Sequence, residues 1–98
     1  MALKLRWTKR AEKNFHDNLQ YLNEQFGLNA AMAFVRQTFA ILETIQKYPE
    51  IGTVEIKDKN IRGFLITKHN RLFYRFNDVE IIVLQIFDTR TNPNGSIK

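Results

Sequence analysis

Hydrophobic positions change their spacing twice along the chain. Leu3, Leu5 and Trp7 alternate with Lys4 and Arg6, the period of two expected of a strand with one dry face, so residues 3–7 are predicted as a short strand. From there the spacing becomes helical: Ala11, Phe15, Leu19, Leu22 and Phe26 follow steps of four, four, three and four, which places them on one stripe of an α-helix. Thr8 is positioned to cap that helix and Gly27 to end it. A second helical stripe follows at Ala31, Phe34, Thr38, Ile41, Leu42 and Ile45, until Tyr48 and Pro49 stop it. Two helices joined by so little chain form a helical hairpin.

After Gly52 the pattern becomes β-branched and aromatic, predicting strands at 53–57, 61–67, 71–76 and 80–87. The breaks at 58–60, 68–70 and 77–78 are short, and Asn77-Asp78 tolerates the left-handed conformations of a tight hairpin. The four strands therefore read as an antiparallel meander. The last of them, Ile81, Ile82, Val83, Leu84, Ile86 and Phe87, is apolar almost without alternation, so it is expected in the interior of the sheet with both faces covered. The expected fold class is α+β, in the order β-α-α-β-β-β-β, an antiparallel sheet with the helical hairpin packed on one face. One domain is expected over residues 1–90, with TNPNGSIK at 91–98 as a flexible tail.

Composition narrows the function. With 98 residues, 44% of them hydrophobic, the chain can fill one core and offset its ordering entropy. It contains no cysteine, which excludes a disulfide framework, a thiolate metal site and a cysteine nucleophile. The start, MALKLRWTKR, lacks the apolar run of a signal peptide, and no stretch approaches the ~18 apolar residues of a membrane span. A cytoplasmic protein with no membrane partner is expected. The net charge of +5 is unevenly placed: residues 1–13 hold five basic residues and one acidic, residues 14–52 two and four, and residues 53–98 eight and five. Basic ends brought together in space would attract polyanions.

Candidate chemistry is sparse. His16 and His69 are the two histidines and stand far apart, so neither a metal nor another cofactor is expected. The single serine, Ser96, offers no triad, and the glycines at 27, 52, 63 and 95 form no phosphate loop. What remains is cationic. In KHNRLFYRF, residues 68–76, strand alternation puts Arg71, Phe73 and Arg75 on a wetter face and Leu72, Tyr74 and Phe76 toward the core. Lys57, Lys59, Lys68 and His69 mark nearby strand ends and turns, and Arg62 lies on the preceding strand. Arginine forks suit phosphate oxygens, and histidine is the side-chain type suited to moving protons near neutrality, which makes His69 a candidate. The same residues also suit a solvated sheet face and an ordinary turn.

The order of elements and several local motifs resemble the RelE/ParE superfamily of bacterial type II toxin–antitoxin toxins. The resemblance spans nearly the whole chain: Trp7 and Ala11; Leu19, Tyr21 and Leu22; Gly27, Ala31 and Phe34; LETIQKYPEIG at 42–52; Ile61-Arg62; KHNRLFY at 68–74; IIVLQIF at 81–87; and FDTRTNP at 87–93. It implies a helical hairpin on one face of the sheet, a concave basic surface on the other, and a cognate antitoxin in a hetero-oligomer. Two activities occur in that superfamily. RelE-like members cleave ribosome-bound mRNA, and ParE-like members poison DNA gyrase without being nucleases. The nuclease pattern assigns Arg71 to phosphate contact, with Arg62 and Arg90 as further basic groups; in a nuclease, proton transfer would have to pass to His69, or to Lys68 or Glu55. Lys57, Lys59, Lys68 and Arg75 would extend the binding surface. Phe64 stands where that pattern has a second basic residue, and no tyrosine or histidine follows Arg90. Ribosome-dependent cleavage, gyrase poisoning, and a member that only binds its antitoxin all remain open on these residues.

Overall fold

The computed structural model of the protein describes residues 2–90; the tail expected at 91–98 lies outside the described residues. Its elements are β1 (Lys4–Trp7), α1 (Lys9–Phe26), α2 (Leu28–Lys47), β2 (Thr53–Ile56), β3 (Ile61–Thr67), β4 (Asn70–Phe76) and β5 (Glu80–Asp88). Thr8 caps α1 as expected: its side-chain oxygen accepts from the Ala11 amide at 3.1 Å and donates to the carbonyl oxygens of Val83 and Leu84. One residue thus starts the helix and ties it to β5. Gly27, at φ +94°, serves as the joint between the two helices, a conformation that glycine adopts without steric cost.

The sheet order is β1-β5-β4-β3-β2. Strands β2 to β5 form the antiparallel meander, but β1 pairs with β5 in parallel, Lys4 opposite Glu80 and Trp7 opposite Val83. The sheet is therefore mixed rather than wholly antiparallel. Chain direction explains this: the helical hairpin delivers β2 antiparallel to β1, and three further reversals make β5 parallel to it. That placement puts β5 between β1 and β4, where its unbroken apolar run is buried.

The main core lies between the sheet and the helices. Phe34, Leu42 and Ile45 of α2, Ala11 and Leu22 of α1, Leu72 and Tyr74 of β4, and Ile81, Val83 and Ile86 of β5 are buried together. Trp7, Phe15, Phe34 and Phe39 join them through ring contacts of 5.4–6.5 Å between centroids. The α1 stripe departs from expectation at its end, where Phe26 is 56% exposed. A register shift opposite Phe73 and Tyr74 leaves Leu84 as a bulge in β5, and Asn14 of α1 accepts from the Ile86 amide just beyond it.

Two polar clusters hold the ends of the meander. Tyr74, fully buried, donates its hydroxyl to the Pro49 carbonyl at 2.7 Å and accepts from the Gly52 amide at 3.0 Å, which fixes the connection from α2 to β2. At the other end the buried Asp88 carboxylate accepts from Asn70 of β4 and from the Arg90 backbone and guanidinium. Burial opposes its charge, but the hydrogen bonds from Arg90 outweigh that and hold the carboxyl below its ordinary pKa.

Tyr74→Phe keeps the ring and strands two buried backbone groups, so it is expected to cost about 1–3 kcal/mol in urea unfolding; a change under about 0.3 kcal/mol would contradict this role. Because the folded pKa of Asp88 lies below its unfolded value, the pair stabilises the fold above the unfolded pKa and loses that contribution as pH falls through the folded one. The stability difference between the parent chain and Asp88→Asn should therefore narrow below about pH 4. A difference that stays constant down to pH 3 would contradict the shift.

Candidate binding surface

The face of the sheet away from the helices carries the candidate residues of β4. Alternation holds: Leu72, Tyr74 and Phe76 belong to the helix side, and Arg71, Phe73 and Arg75 face the other way. That second face is not uniformly wet, however. Phe73 is 3% exposed and packs with Ile61 and Phe87, its ring stacked on Phe87 at 5.5 Å, with Ile56 and Leu84 at the margin. The reason is β5, whose apolar side chains on this face need cover that no helix supplies. Phe73 stands between Arg71 and Arg75, whose Cα atoms are separated by roughly 13 Å of strand.

Arg71 does not stand free. Its Nη2 lies 3.0 Å from Glu55 Oε2, and its guanidinium sits 5.6 Å from the Phe73 ring centroid. Gly63 makes that path possible, since a Cβ there would fall 2.7 Å from Arg71 Nη2 and 3.0 Å from the Glu55 side chain. Arg62 points to the opposite side of the sheet. Paired in register with Tyr74, it donates from Nη1 to the carbonyl oxygens of Glu50 and Gly52 at 2.9 and 3.0 Å and lies over the Phe76 ring. It reinforces the Tyr74 junction.

Arg90 is likewise engaged, with Nη2 at 2.8 Å from Asp88 Oδ2 and its guanidinium over the rings of Tyr21 and Phe26. This stack covers part of the exposed Phe26. His69 sits half-buried in the β3–β4 turn, where its amide donates to Thr67 and its carbonyl accepts from the amide and hydroxyl of Thr89. Lys68 is exposed in the same turn, and Lys57 is exposed at the start of the β2–β3 turn.

Lys59 and Arg75 come together in a hollow with Arg10 of α1. The eight candidate residues therefore occupy separate places: Arg71 beside Glu55, Arg62 behind the sheet, Arg90 against α1, Lys68 and His69 in one turn, and Lys57 and Lys59 in another, with Arg75 beside Lys59. Sequence reasoning counted Arg6 and Arg10 in the basic first segment without naming them as site residues; they belong to β1 and α1 and line this hollow and its neighbour. It also gave no sign that Asp88 would hold Arg90, although their spacing of two residues was available as a signal.

Among the described residues, no three His, Cys, Asp or Glu side chains stand together as a metal site would require. No helix there is long and apolar enough to cross a membrane.

The family described as "ParE toxin of type II toxin-antitoxin system, parDE" matches residues 5–93. No curated protein sequence matches the chain significantly. Among solved structures, the chain resembles one from the chromosomal ParDE toxin–antitoxin system of P. aeruginosa, with a TM-score of 0.72 and 17% identity over 89% of this chain and 96% of that one. It also resembles a mutant of E. coli toxin RelE in the free state, with a TM-score of 0.64 and 18% identity over 95% of this chain and 90% of that one. A third likeness is to the toxin–antitoxin complex RelBE2 of Mycobacterium tuberculosis, with a TM-score of 0.62 and 16% identity over 90% and 99%. At these identities the structural likenesses show the fold alone. The family match covers nearly the whole chain, and on that ground this protein belongs to the ParE toxin family of type II toxin–antitoxin systems.

Proposed function

We propose that this toxin inhibits growth in the bacterial cytoplasm as a non-enzymatic poison of DNA gyrase, and that a cognate antitoxin neutralises it in a hetero-oligomer. The observation that carries this reading is the dispersal of the nuclease candidates. Cleavage of RNA through its 2′-hydroxyl needs a base, an acid and phosphate-stabilising cations around one reacting centre. Here Arg71 is matched by Glu55, Arg62 is engaged on the helix side, and Arg90 is held by Asp88. A poison requires only a complementary surface, which dispersed groups on a rigid sheet can supply. The match of residues 5–93 to the ParE toxin family supports the same reading.

The purified chain is expected to inhibit gyrase-catalysed supercoiling while leaving RNA intact, and normal supercoiling at saturating toxin would overturn the proposal. Arg71→Ala removes an accessible guanidinium without opening the main core. It should raise the half-inhibitory concentration about tenfold, on the order of 1.4 kcal/mol, and an unchanged value would remove Arg71 from the contact surface.

A further inference from the structure

We propose that the hollow between the start of α1 and the β2–β3 turn binds the phosphate backbone of a nucleic acid. The hollow measures about 510 Å³; Ile61 and Leu84 line it together with Arg10 of α1, Lys59 and Asp58 of the turn, and Arg75 of β4. Three elements remote in sequence thus converge three cations on one space.

Of the chain's other arginines, Arg62 donates to backbone carbonyl oxygens, and Arg36 on α2 has no carboxylate partner among the described residues. Arg6, Arg71 and Arg90 each pair with a carboxylate, at 3.0, 3.0 and 2.8 Å. Arg10, Lys59 and Arg75 have no such partner among the described residues, and Asp58 is the one acidic group lining the hollow. Lys59 and Arg75 also line an adjoining hollow of about 350 Å³ beside Arg6 and Glu80, so the cationic strip is longer than a single phosphate.

The start of α1 adds to the field. Its first residues are Lys9 and Arg10, with Glu12 as the acidic residue of the first turn, although the positive end of a helix dipole disfavours cations. The arrangement costs some helix stability and leaves a potential that an arriving anion relieves.

The chemistry of the lining favours phosphate over other anions. No aromatic ring and no Asn or Gln side chain lines this hollow to stack a base or read its edge, whereas Phe76, Asn60 and Asn77 line the adjoining one. Guanidinium and ammonium groups remain, which suit phosphate oxygens, and contacts to phosphate carry no sequence information. An acidic peptide would need an apolar anchor site as well, but Ile61 is 6% exposed and Leu84 packs against the Phe73–Phe87 cluster.

The test needs no gyrase, so its outcome is separate from that of the proposed function. Binding of the full chain to a fluorescently labelled DNA duplex is followed by anisotropy as salt is varied. Three phosphate contacts contribute a slope of about −2.7 in log K against log salt, roughly a 40-fold loss of affinity between 50 and 200 mM. The combined variant Arg10→Gln, Lys59→Gln, Arg75→Gln should lose that contribution, and Asp58→Asn should tighten binding severalfold. An unchanged slope in the combined variant overturns the proposal. If that variant does not melt like the parent, Arg75→Gln alone serves, with an expected slope change of about 0.9. Polyglutamate of matched charge should compete at least about tenfold less well than unlabelled duplex, whereas equal competition would overturn phosphate as the ligand and assign the hollow to an acidic protein.

Discussion

A strand that is apolar on both faces must be covered on both faces, and β5 imposes that condition on the whole sheet. The helices cover one side, through Leu22, Phe34 and Leu42 against Ile81, Val83 and Ile86. The other side has no helix, so Phe73 and Ile61 turn inward against Phe87. Parallel pairing with β1 closes the remaining edge of β5. Each of these placements follows from removing one run of apolar side chains from water, at about 25 cal/mol per Å² of apolar surface buried.

The electrostatic character of the protein follows from the same condition. The Phe73 cluster divides the free face into two ends. At one, Arg71 is matched by Glu55 over Gly63; at the other, Arg75 and Lys59 meet Arg10 with a single carboxylate, Asp58, nearby. Arg62 and Arg90 are taken up elsewhere, the first against backbone carbonyls and the second against a buried aspartate. A net charge of +5 therefore says less than its distribution. Cations that are matched within the fold stabilise it, while those left unmatched set what the surface attracts.

Most of the fold was legible in the sequence because its signals are local. The stripes of α1 and α2, the Thr8 cap, the Gly27 joint and the strand alternation of β4 all depend on neighbours a few residues away. The parallel placement of β1 was not legible, since it depends on which free edge the first strand joins. The candidate site was legible only in part. Residue type and alternation placed Arg71 and Arg75 on the free face, but the register that turns Arg62 toward Tyr74 is a tertiary fact. So is the convergence of Arg10 with Lys59 and Arg75, residues about fifty and sixty-five positions apart in the chain. Family resemblance carried Arg62 and Arg90 into a catalytic set by position in a motif, and position in a motif does not specify what a side chain touches.

The central claim is that this surface binds and does not cut. Mapping RNA 5′ ends in bacterial cells minutes after the chain is induced without its antitoxin tests it most directly. The account predicts growth arrest with messages intact. New 5′ ends within translated codons, present with the parent chain and lost in Arg71→Ala, would contradict it and make the Arg71 end of the sheet a nuclease centre.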